Sequence, residues 1–212
     1  MTELVYGERP ADGPAQGLLV LHHGRGADEQ DLIALADVLD PAQRLHVVVP
    51  RAPLTLPGWG GYHWYTSAEV GSPPPDSFHQ AVGVLGQFHD ELWVRTGIPP
   101  RQTVLGGFSM GAVMSYATGL SPDRPRPSGI LACSGFLPAV AGWVPDFSSR
   151  AGLPVLITHG SGDAMIAVSF GREAGEQLQA GGLDVQYVET PGGHQIHTWA
   201  LRAAITWLAE TI

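Results

Sequence analysis

The chain contains no lysine, no asparagine and a single cysteine, Cys133, among its 212 residues. Without a lysine amine, Schiff-base and pyridoxal chemistry are excluded, and so is a P-loop with its phosphate-binding lysine. Without asparagine there is no acceptor for N-glycosylation. A lone thiol allows neither an intrachain disulfide nor a cysteine-rich zinc cluster and is typical of a reducing compartment, so we expect a cytoplasmic protein.

Long apolar runs and an excess of positive charge are missing too. No stretch approaches the ~20 apolar residues of a membrane span, so we expect no stable membrane insertion. Eleven basic against twenty acidic residues give a net charge of -9, the wrong sign for binding a phosphate backbone, which argues against nucleic acid as a partner. The length suits one hydrophobic core, and no linker or repeat divides the chain, so we predict a single domain over residues 1–212.

Short β-rich runs alternate with segments of helical period. The runs are almost continuously apolar, as expected of strands covered on both faces of a parallel sheet. Strands are predicted at residues 18–22, 46–49, 103–108, 130–133, 155–159 and 185–188. Helices are predicted at about 28–39, 77–96, 111–120, 168–180 and 198–210. This alternation predicts an α/β protein whose mostly parallel, doubly wound sheet is flanked by helices.

A Gly-x-Ser-x-Gly motif occupies residues 107–111, between a predicted strand and a predicted helix. Because Gly107 and Gly111 lack Cβ atoms, they leave room for a sharp strand-to-helix turn that presents the hydroxyl of Ser109 to solvent. The motif alone is weak in a chain with 28 glycines. Ser109 is therefore a candidate nucleophile that needs partners at the same edge of the sheet.

Two such partners follow later strands. Asp163 comes just after the strand at 155–159, and His194 comes after the strand at 185–188. The carboxyl ends of parallel strands meet at one edge, so we expect these side chains to lie beside Ser109. Their order along the chain, serine, aspartate and histidine, is that of α/β-hydrolases. In this hypothesis His194 takes the proton of Ser109, and Asp163 orients the imidazole.

Other residues could take the roles of acid or base by their position in the sequence. The alternative acids are Asp146, Asp184 and Glu189, and the alternative bases are His159 and His197. Asp146 lies in an irregular Pro-rich stretch, and Asp184 and Glu189 flank or end a strand, so this placement favours Asp163 as the acid. We expect His159 to pack beneath the loop and His197 to begin the last helix. His194 and His197 lack a third ligand in any obvious motif, so we expect no metal and no other cofactor.

The tetrahedral intermediate of acyl transfer also needs hydrogen-bond donors. We expect the backbone amides of Met110, at a helix N-terminus, and of Arg25, in a glycine-rich loop after the first long strand. One glycine-rich segment holds four aromatics that could wall an acyl groove or simply cover the sheet edge: Trp59, Tyr62, Trp64 and Tyr65. Trp64, Tyr65 and Ile166 are expected to contact the substrate, and the guanidinium of Arg25 is a candidate for binding an acidic group on it.

Taken together, these motifs resemble the small bacterial carboxylesterase and phospholipase family that includes the acyl-protein thioesterases. The resemblance covers nearly the whole chain and rests on residues 21–32 (LHHGRGADEQDL), 50–53 (PRAP), 106–112 (GGFSMGA), 134–135 (SG), 159–163 (HGSGD) and 193–194 (GH). It implies an α/β-hydrolase fold without a large cap domain and the same nucleophile, acid and base. Many relatives have glutamine at the position of Met110; the backbone amide is kept here, but the wall of the pocket becomes more apolar. Thioesterase members usually carry an apolar residue at the position of Arg25, which argues against protein deacylation.

The sequence thus predicts a serine hydrolase that cleaves short- to medium-chain carboxylic esters through an acyl-enzyme. Thioesterase and lysophospholipase activity use the same machinery and stay open, as does a non-catalytic ligand-binding module, against which the intact triad argues. The expected partner is a small ester, and exposed aromatics at a sheet edge are compatible with a homodimer. The physiological substrate, the acyl length and the role of Arg25 are not set by the sequence.

Overall fold

The central sheet has seven strands in the order β1-β3-β2-β6-β7-β8-β9, as seen in a computed structural model that describes residues 4–55, 58, 60–66 and 69–212. Its strands are β1 (Tyr6–Arg9), β2 (Gly17–His22), β3 (Leu45–Pro50), β6 (Thr103–Phe108), β7 (Gly129–Cys133), β8 (Pro154–Gly160) and β9 (Asp184–Thr190). All neighbours run parallel except β1, which pairs antiparallel with β3 at one edge. A separate ribbon consists of β4 (Leu54–Thr55) and β5 (Tyr62–His63).

Helices cover both faces of this sheet. They are α1 (Glu29–Ile33), α2 (Ala36–Leu39), α3 (Pro75–Thr96), α4 (Met110–Gly119), α5 (Val168–Ala180) and α6 (Thr198–Thr211). The apolar side chains of α3, α4 and α5 belong to one buried cluster, and those of α1, α2 and α6 belong to a second cluster on the opposite face. Within the described ranges, no helix has both the length and the apolar character needed to cross a membrane.

The predicted α/β fold is confirmed, and all six predicted strands are present. Three strands were missed: β1, β4 and β5. The predicted helix at 28–39 is instead two short helices, because the helical hydrogen bonding of α1 ends at Ala34 and α2 begins only after Leu35. The predicted start is correct, since Asp28 and Asp31 form a reciprocal capping box there.

The order of the strands places a crevice between β2 and β6. These two strands are parallel neighbours, with His22 opposite Gly107. The chain leaves β2 for β3 on one side and leaves β6 for β7 on the other, so the connections diverge beyond the carboxyl ends of the pair. Ligands of doubly wound sheets bind at such a switch point. The candidate nucleophile follows β6 there, and the glycine-rich loop with Arg25 follows β2.

The single cysteine lies inside the molecule. Cys133 ends β7, and its side chain is buried. Burial raises the pKa of the thiol to about 11, although a hydrogen bond with Thr158 acts in the opposite direction. The thiol is therefore protonated and inert at neutral pH.

Candidate active site

Ser109 lies at the turn between β6 and α4 in a strained backbone conformation, with φ 56° and ψ -123°. Positive φ costs a non-glycine residue about 1–3 kcal/mol and persists only where the surroundings enforce it. Here the amide of Ser109 donates to the carbonyl of Cys133 at 2.8 Å. Gly111 lets α4 approach β2, because a Cβ at that position would collide with the carbonyl oxygen of His22. The turn thus holds the hydroxyl above the sheet edge.

The structure brings Ser109, His194 and Asp163 into one line. Nε2 of His194 lies 2.8 Å from Oγ of Ser109, across 85 positions of the sequence, and Nδ1 lies 2.6 Å from Oδ2 of Asp163. A carboxylate only accepts, so Nδ1 carries the proton and Nε2 presents a lone pair to the hydroxyl. The ring of Phe108 packs against the imidazole at 4.8 Å between centroids. This arrangement can draw a proton from the serine.

Asp163 is fixed by bonds to both carboxylate oxygens. Oδ1 accepts from the amides of Met165 and Ile166, each at 2.9 Å, and Oδ2 faces His194. Burial by itself would raise the pKa of Asp163, but the amide of Ile166, the His194 side chain and the amide of Met165 together lower it below its usual value. The group is therefore an anion at neutral pH.

The rival bases have other contacts. His159 is buried beneath the loop, where Nε2 lies 2.8 Å from the carbonyl oxygen of Ile166 and 3.6 Å from Asp163. His197 caps α6, and its Nδ1 accepts from the amide of Trp199 at 3.1 Å. Both positions agree with the expectation from the sequence. In the part of the chain that the structure describes, no group of three or more His, Cys, Asp or Glu side chains could hold a metal ion.

The rival acids are also occupied elsewhere. Asp146 accepts from the hydroxyls of Ser148 and Ser149. Glu189 forms a two-point ion pair with Arg172. Asp184 is exposed at the start of β9. The order along the chain did not separate these acids from Asp163, but their place relative to the strand ends did, and in the structure Asp163 contacts His194.

A β-bridge positions the loop that carries Arg25. The amide of Gly26 donates to the carbonyl of Tyr62 at 2.8 Å, and the amide of Tyr62 donates to the carbonyl of Ala27 at 2.9 Å. Gly24 sits against the nucleophile, since a Cβ there would lie 3.4 Å from Cβ of Ser109. The amides of Arg25 and Met110 have no acceptor among the described residues. Both are therefore free to bind a ligand oxygen.

Behind that loop lies a partly buried ion pair. Arg51 donates to Glu29 through Nε at 2.6 Å and Nη2 at 2.5 Å, and its third nitrogen lies 3.3 Å from the hydroxyl of Tyr62. The hydrogen bonds from Arg51 lower the pKa of Glu29 to about 2. The pair ties the start of α1 to the ribbon strand that holds the loop.

Two clefts meet at the serine. The first, here called the aromatic cleft, encloses about 490 Å³, part of it open to solvent, and its walls include Tyr65, Glu69, Val70, Met110, Phe136, Met165 and Ile166. The second, the loop cleft, encloses about 1060 Å³, part of it open to solvent, and runs along residues 24–27 and Phe108. Arg25, Ser109, Met165 and His194 line both clefts. A ligand at the serine can therefore extend in two directions.

The expected substrate contacts divide into two groups. Tyr65 and Ile166 line the aromatic cleft. The expectation for Trp64 is wrong: its side chain is 1% exposed and lines neither cleft, because the indole nitrogen donates to the carbonyl of His23 at 2.9 Å and draws the ring into the core. Tyr62 supports the loop instead, and Trp59 lies outside the described residues.

Sequence reasoning missed four residues that line the aromatic cleft: Glu69, Val70, Phe136 and Met165. Met165 is 69% exposed and stands where the clefts join. Its place two residues after Asp163, in the same loop, is a signal that could have found it. Phe136 follows β7, and its side chain packs on Phe170. Only the strand order of the folded sheet shows that this loop reaches the cleft.

A mostly parallel sheet of this order, with a strained serine between strand and helix, defines an α/β-hydrolase. The phospholipase/carboxylesterase family matches residues 9–212. The chain belongs to this family, and it is a hydrolase of the carboxylesterase type.

Individual proteins resemble this chain in sequence or in fold. Esterase PE8 is 31% identical in sequence, with a TM-score of 0.86, and the match covers 100% of both chains. The acyl-protein thioesterase 1 of Debaryomyces hansenii is 29% identical over 94% of this chain and 93% of its own. The carboxylesterase of Bacillus cereus shares the fold at 20% identity, with a TM-score of 0.86 over 99% of this chain and 95% of that one.

Proposed function

We propose that the protein hydrolyses short- to medium-chain carboxylic esters through an acyl-enzyme on Ser109. The observation that carries the proposal is the line of contacts from Ser109 through His194 to Asp163, at 2.8 and 2.6 Å, which opens directly into the aromatic cleft. Family membership supports an ester or thioester as the substrate.

The geometry supports an ordinary two-step acyl transfer. Oγ of Ser109 attacks the carbonyl carbon while its proton passes to Nε2 of His194, and Asp163 stabilises the imidazolium through Nδ1. The oxyanion accepts bonds from the amides of Met110 and Arg25, and one such donor is worth ~10²- to 10³-fold in rate. Collapse of the intermediate expels the alcohol, which takes the proton. Water then repeats the sequence and releases the acid.

The clefts support a choice of acyl chain. Apart from the charged side chains of Arg25 and Glu69, the walls of the aromatic cleft are two rings, two thioethers and two aliphatic groups, which suits a hydrocarbon chain of modest length. The loop cleft is larger and runs along the glycine-rich loop, so it can take a leaving group of varied shape. Two clefts, one for the acyl chain and one for the leaving group, also suit thioesters and lysophospholipids, and proteins named for those activities are among the relatives.

A covalent probe tests the proposal. A fluorophosphonate should modify Ser109 on the folded protein, and Ser109→Ala should lower ester turnover by ~10⁴ or more without loss of the fold. A series of p-nitrophenyl esters measured beside acyl-CoA substrates separates ester from thioester hydrolysis. The absence of an adduct would favour a non-catalytic binding module, and a Ser109→Ala variant with near-normal turnover would mean that another serine reacts.

An anionic ester is favoured by one further observation. The guanidinium of Arg25 is exposed at the junction of both clefts and has no carboxylate partner among the described residues. Guanidinium binds carboxylate through paired, charge-assisted hydrogen bonds. Arg25→Ala keeps the backbone amide, so it should lower kcat/KM about tenfold more for p-nitrophenyl hemisuccinate than for p-nitrophenyl butyrate. Arg101→Ala, at an exposed site elsewhere, is the control; an equal loss on both esters would contradict the preference.

A further inference from the structure

Three polar side chains lie buried where β2, α3 and α4 meet. His22 ends β2, His89 lies in α3 and Ser115 lies in α4, and each is at most 1% exposed. Nδ1 of His22 lies 2.8 Å from Oγ of Ser115, and Nε2 of His22 lies 3.1 Å from Nε2 of His89. Trp64 packs edge-on against the His22 ring, and Trp93 packs against the His89 ring. The reaction steps proposed above use none of the three polar groups.

The hydrogens of this cluster follow from its geometry. Oγ of Ser115 donates to the carbonyl of Gly111 at 3.0 Å, so it accepts from Nδ1–H of His22. Nε2 of His22 is then unprotonated, and its lone pair accepts a hydrogen bond from Nε2–H of His89. Nδ1 of His89 is left unprotonated, and it is a buried nitrogen with no hydrogen-bond partner among the described residues. The result is one directed chain that runs from His89 through His22 and Ser115 to Gly111.

This chain joins the two segments that carry the proposed oxyanion amides. His22 lies three residues before Arg25, and Gly111 directly follows Met110. The first turn of α4 packs against the end of β2 without an intervening side chain, because Gly111 has no Cβ. The imidazole of His22 adds a directional bond to that contact. The relative position of the two amides therefore depends on this chain of hydrogen bonds.

Stability alone does not explain a polar cluster here. A buried polar group costs about 1–3 kcal/mol when its bonds are imperfect, and apolar side chains of the same volume would hold the helix at least as firmly. Hydrogen bonds differ from apolar contacts in fixing direction, so they hold the rotation of α4 as well as its distance.

The histidines keep the protonation state that the chain needs. Burial, then the neighbouring His89 and His23, lower the pKa of His22 well below its usual value. Burial, then the charge of Arg124, lower the pKa of His89 to about 3. Arg124 is itself held by Asp90 at 2.7 and 2.8 Å. Both rings are therefore neutral at neutral pH, with one proton each.

We propose that His22, His89 and Ser115 are positioning residues that hold the two amides of the proposed oxyanion hole in register. The inference rests on the proposed function, because it presupposes a tetrahedral intermediate at Ser109. A group that positions the hole acts on the transition state and not on the ground state, so its loss lowers kcat and leaves KM unchanged.

Two substitutions at one position separate positioning from packing. His89→Leu keeps the volume but removes the donor, and His89→Gln restores an N–H near the place of Nε2. We expect His89→Leu to lower kcat for p-nitrophenyl butyrate about tenfold, less than the loss of a whole oxyanion donor. Its affinity for a trifluoromethyl ketone, which forms a tetrahedral adduct with the serine, should fall by the same factor. His89→Gln should recover both.

Thr118→Val is the matched control. Thr118 is buried one turn further along α4 and donates to the carbonyl of Met114 at 2.9 Å, so the substitution removes a comparable bond away from the hole. It should lower Tm but not kcat. If His89→Leu is no more impaired in kcat than Thr118→Val, or if ketone affinity is unchanged, the inference is wrong.

Further measurements keep the two proposals apart. If His89→Leu does not fold, Ser115→Ala breaks the same chain at its other end and takes its place in the comparison. Fluorophosphonate labelling of the wild-type protein is measured alongside. A wild type without an adduct on Ser109 refutes the proposed function, whereas a labelled wild type with a fully active Ser115→Ala or His89→Leu variant refutes only the positioning role.

Discussion

Replacing Asp163 with asparagine should invert the tautomer of His194. Oδ1 of Asp163 accepts from the amides of Met165 and Ile166, and Oδ2 accepts from Nδ1 of His194. An asparagine must offer its oxygen to one side and its NH₂ group to the other. With the oxygen facing the two amides, the NH₂ group donates to His194, whose proton then moves to Nε2 and faces the serine.

The opposite orientation is disfavoured by the two amides. An NH₂ group facing them would leave two backbone donors unpaired, and each costs about 1–3 kcal/mol. The sum is at least about 2 kcal/mol, which favours the inactive tautomer by roughly 30-fold before any direct loss of the negative charge. With the loss of the charge that stabilises the imidazolium, we expect kcat to fall by ~10⁴ with an intact fold.

The measurement is the turnover of p-nitrophenyl butyrate by Asp163→Asn, with folding checked by circular dichroism. Asp146→Asn is the control, because that exposed carboxylate binds two serine hydroxyls and does not contact the imidazole. It should keep wild-type turnover. A folded Asp163→Asn variant that retains about a tenth of wild-type kcat would refute the reasoning, and a large loss in Asp146→Asn would point to the other acid.

Three further predictions concern stability and specificity. Glu29→Gln should lower the free energy of unfolding by about 1–2 kcal/mol at pH 7. Because the pKa of Glu29 is lowered to about 2 from 4.5, the stabilisation by this carboxylate is present above pH 4.5 and is lost toward pH 2. Urea unfolding should therefore show a difference between variant and wild type that shrinks in acid. Ile166→Trp should fill the aromatic cleft and lower kcat/KM for octanoate more than for acetate esters; an unchanged chain-length profile would place the acyl group elsewhere. Gly111→Ala should cost about 1–3 kcal/mol and lower kcat, since its Cβ collides with a backbone oxygen of His22, and wild-type Tm and kcat together would contradict that packing.

The sequence predicted those parts of the site that depend on local rules. The turn at Ser109 follows from two glycines at fixed spacing, and the strained φ of 56° is what such a turn requires. Asp163 and His194 were found because parallel strands end at one edge, a rule that needs only the strand assignments. The same logic supplied the loop with Arg25. Residues named in this way meet in the structure, while their catalytic roles stay predictions.

Other features depend on contacts that no local pattern encodes. The four-residue strand β1 has one partner and runs antiparallel, so it lacks the long apolar run that marked the others. No proline or glycine marks the break between α1 and α2. The position of Trp64 is decided by a carbonyl 41 residues away. The pair of His22 and His89 spans 67 residues and shows no spacing that could be recognised in advance.

The inward position of Cys133 makes the molecule convenient for site-directed labelling. Its thiol is buried and protonated, and no lysine competes for electrophilic reagents. A cysteine introduced in place of Met165, on the exposed rim where the clefts join, would be the one thiol that maleimides modify rapidly. A fluorophore or spin label attached there would sense ligand entry from either direction, and the natural sequence needs no other change.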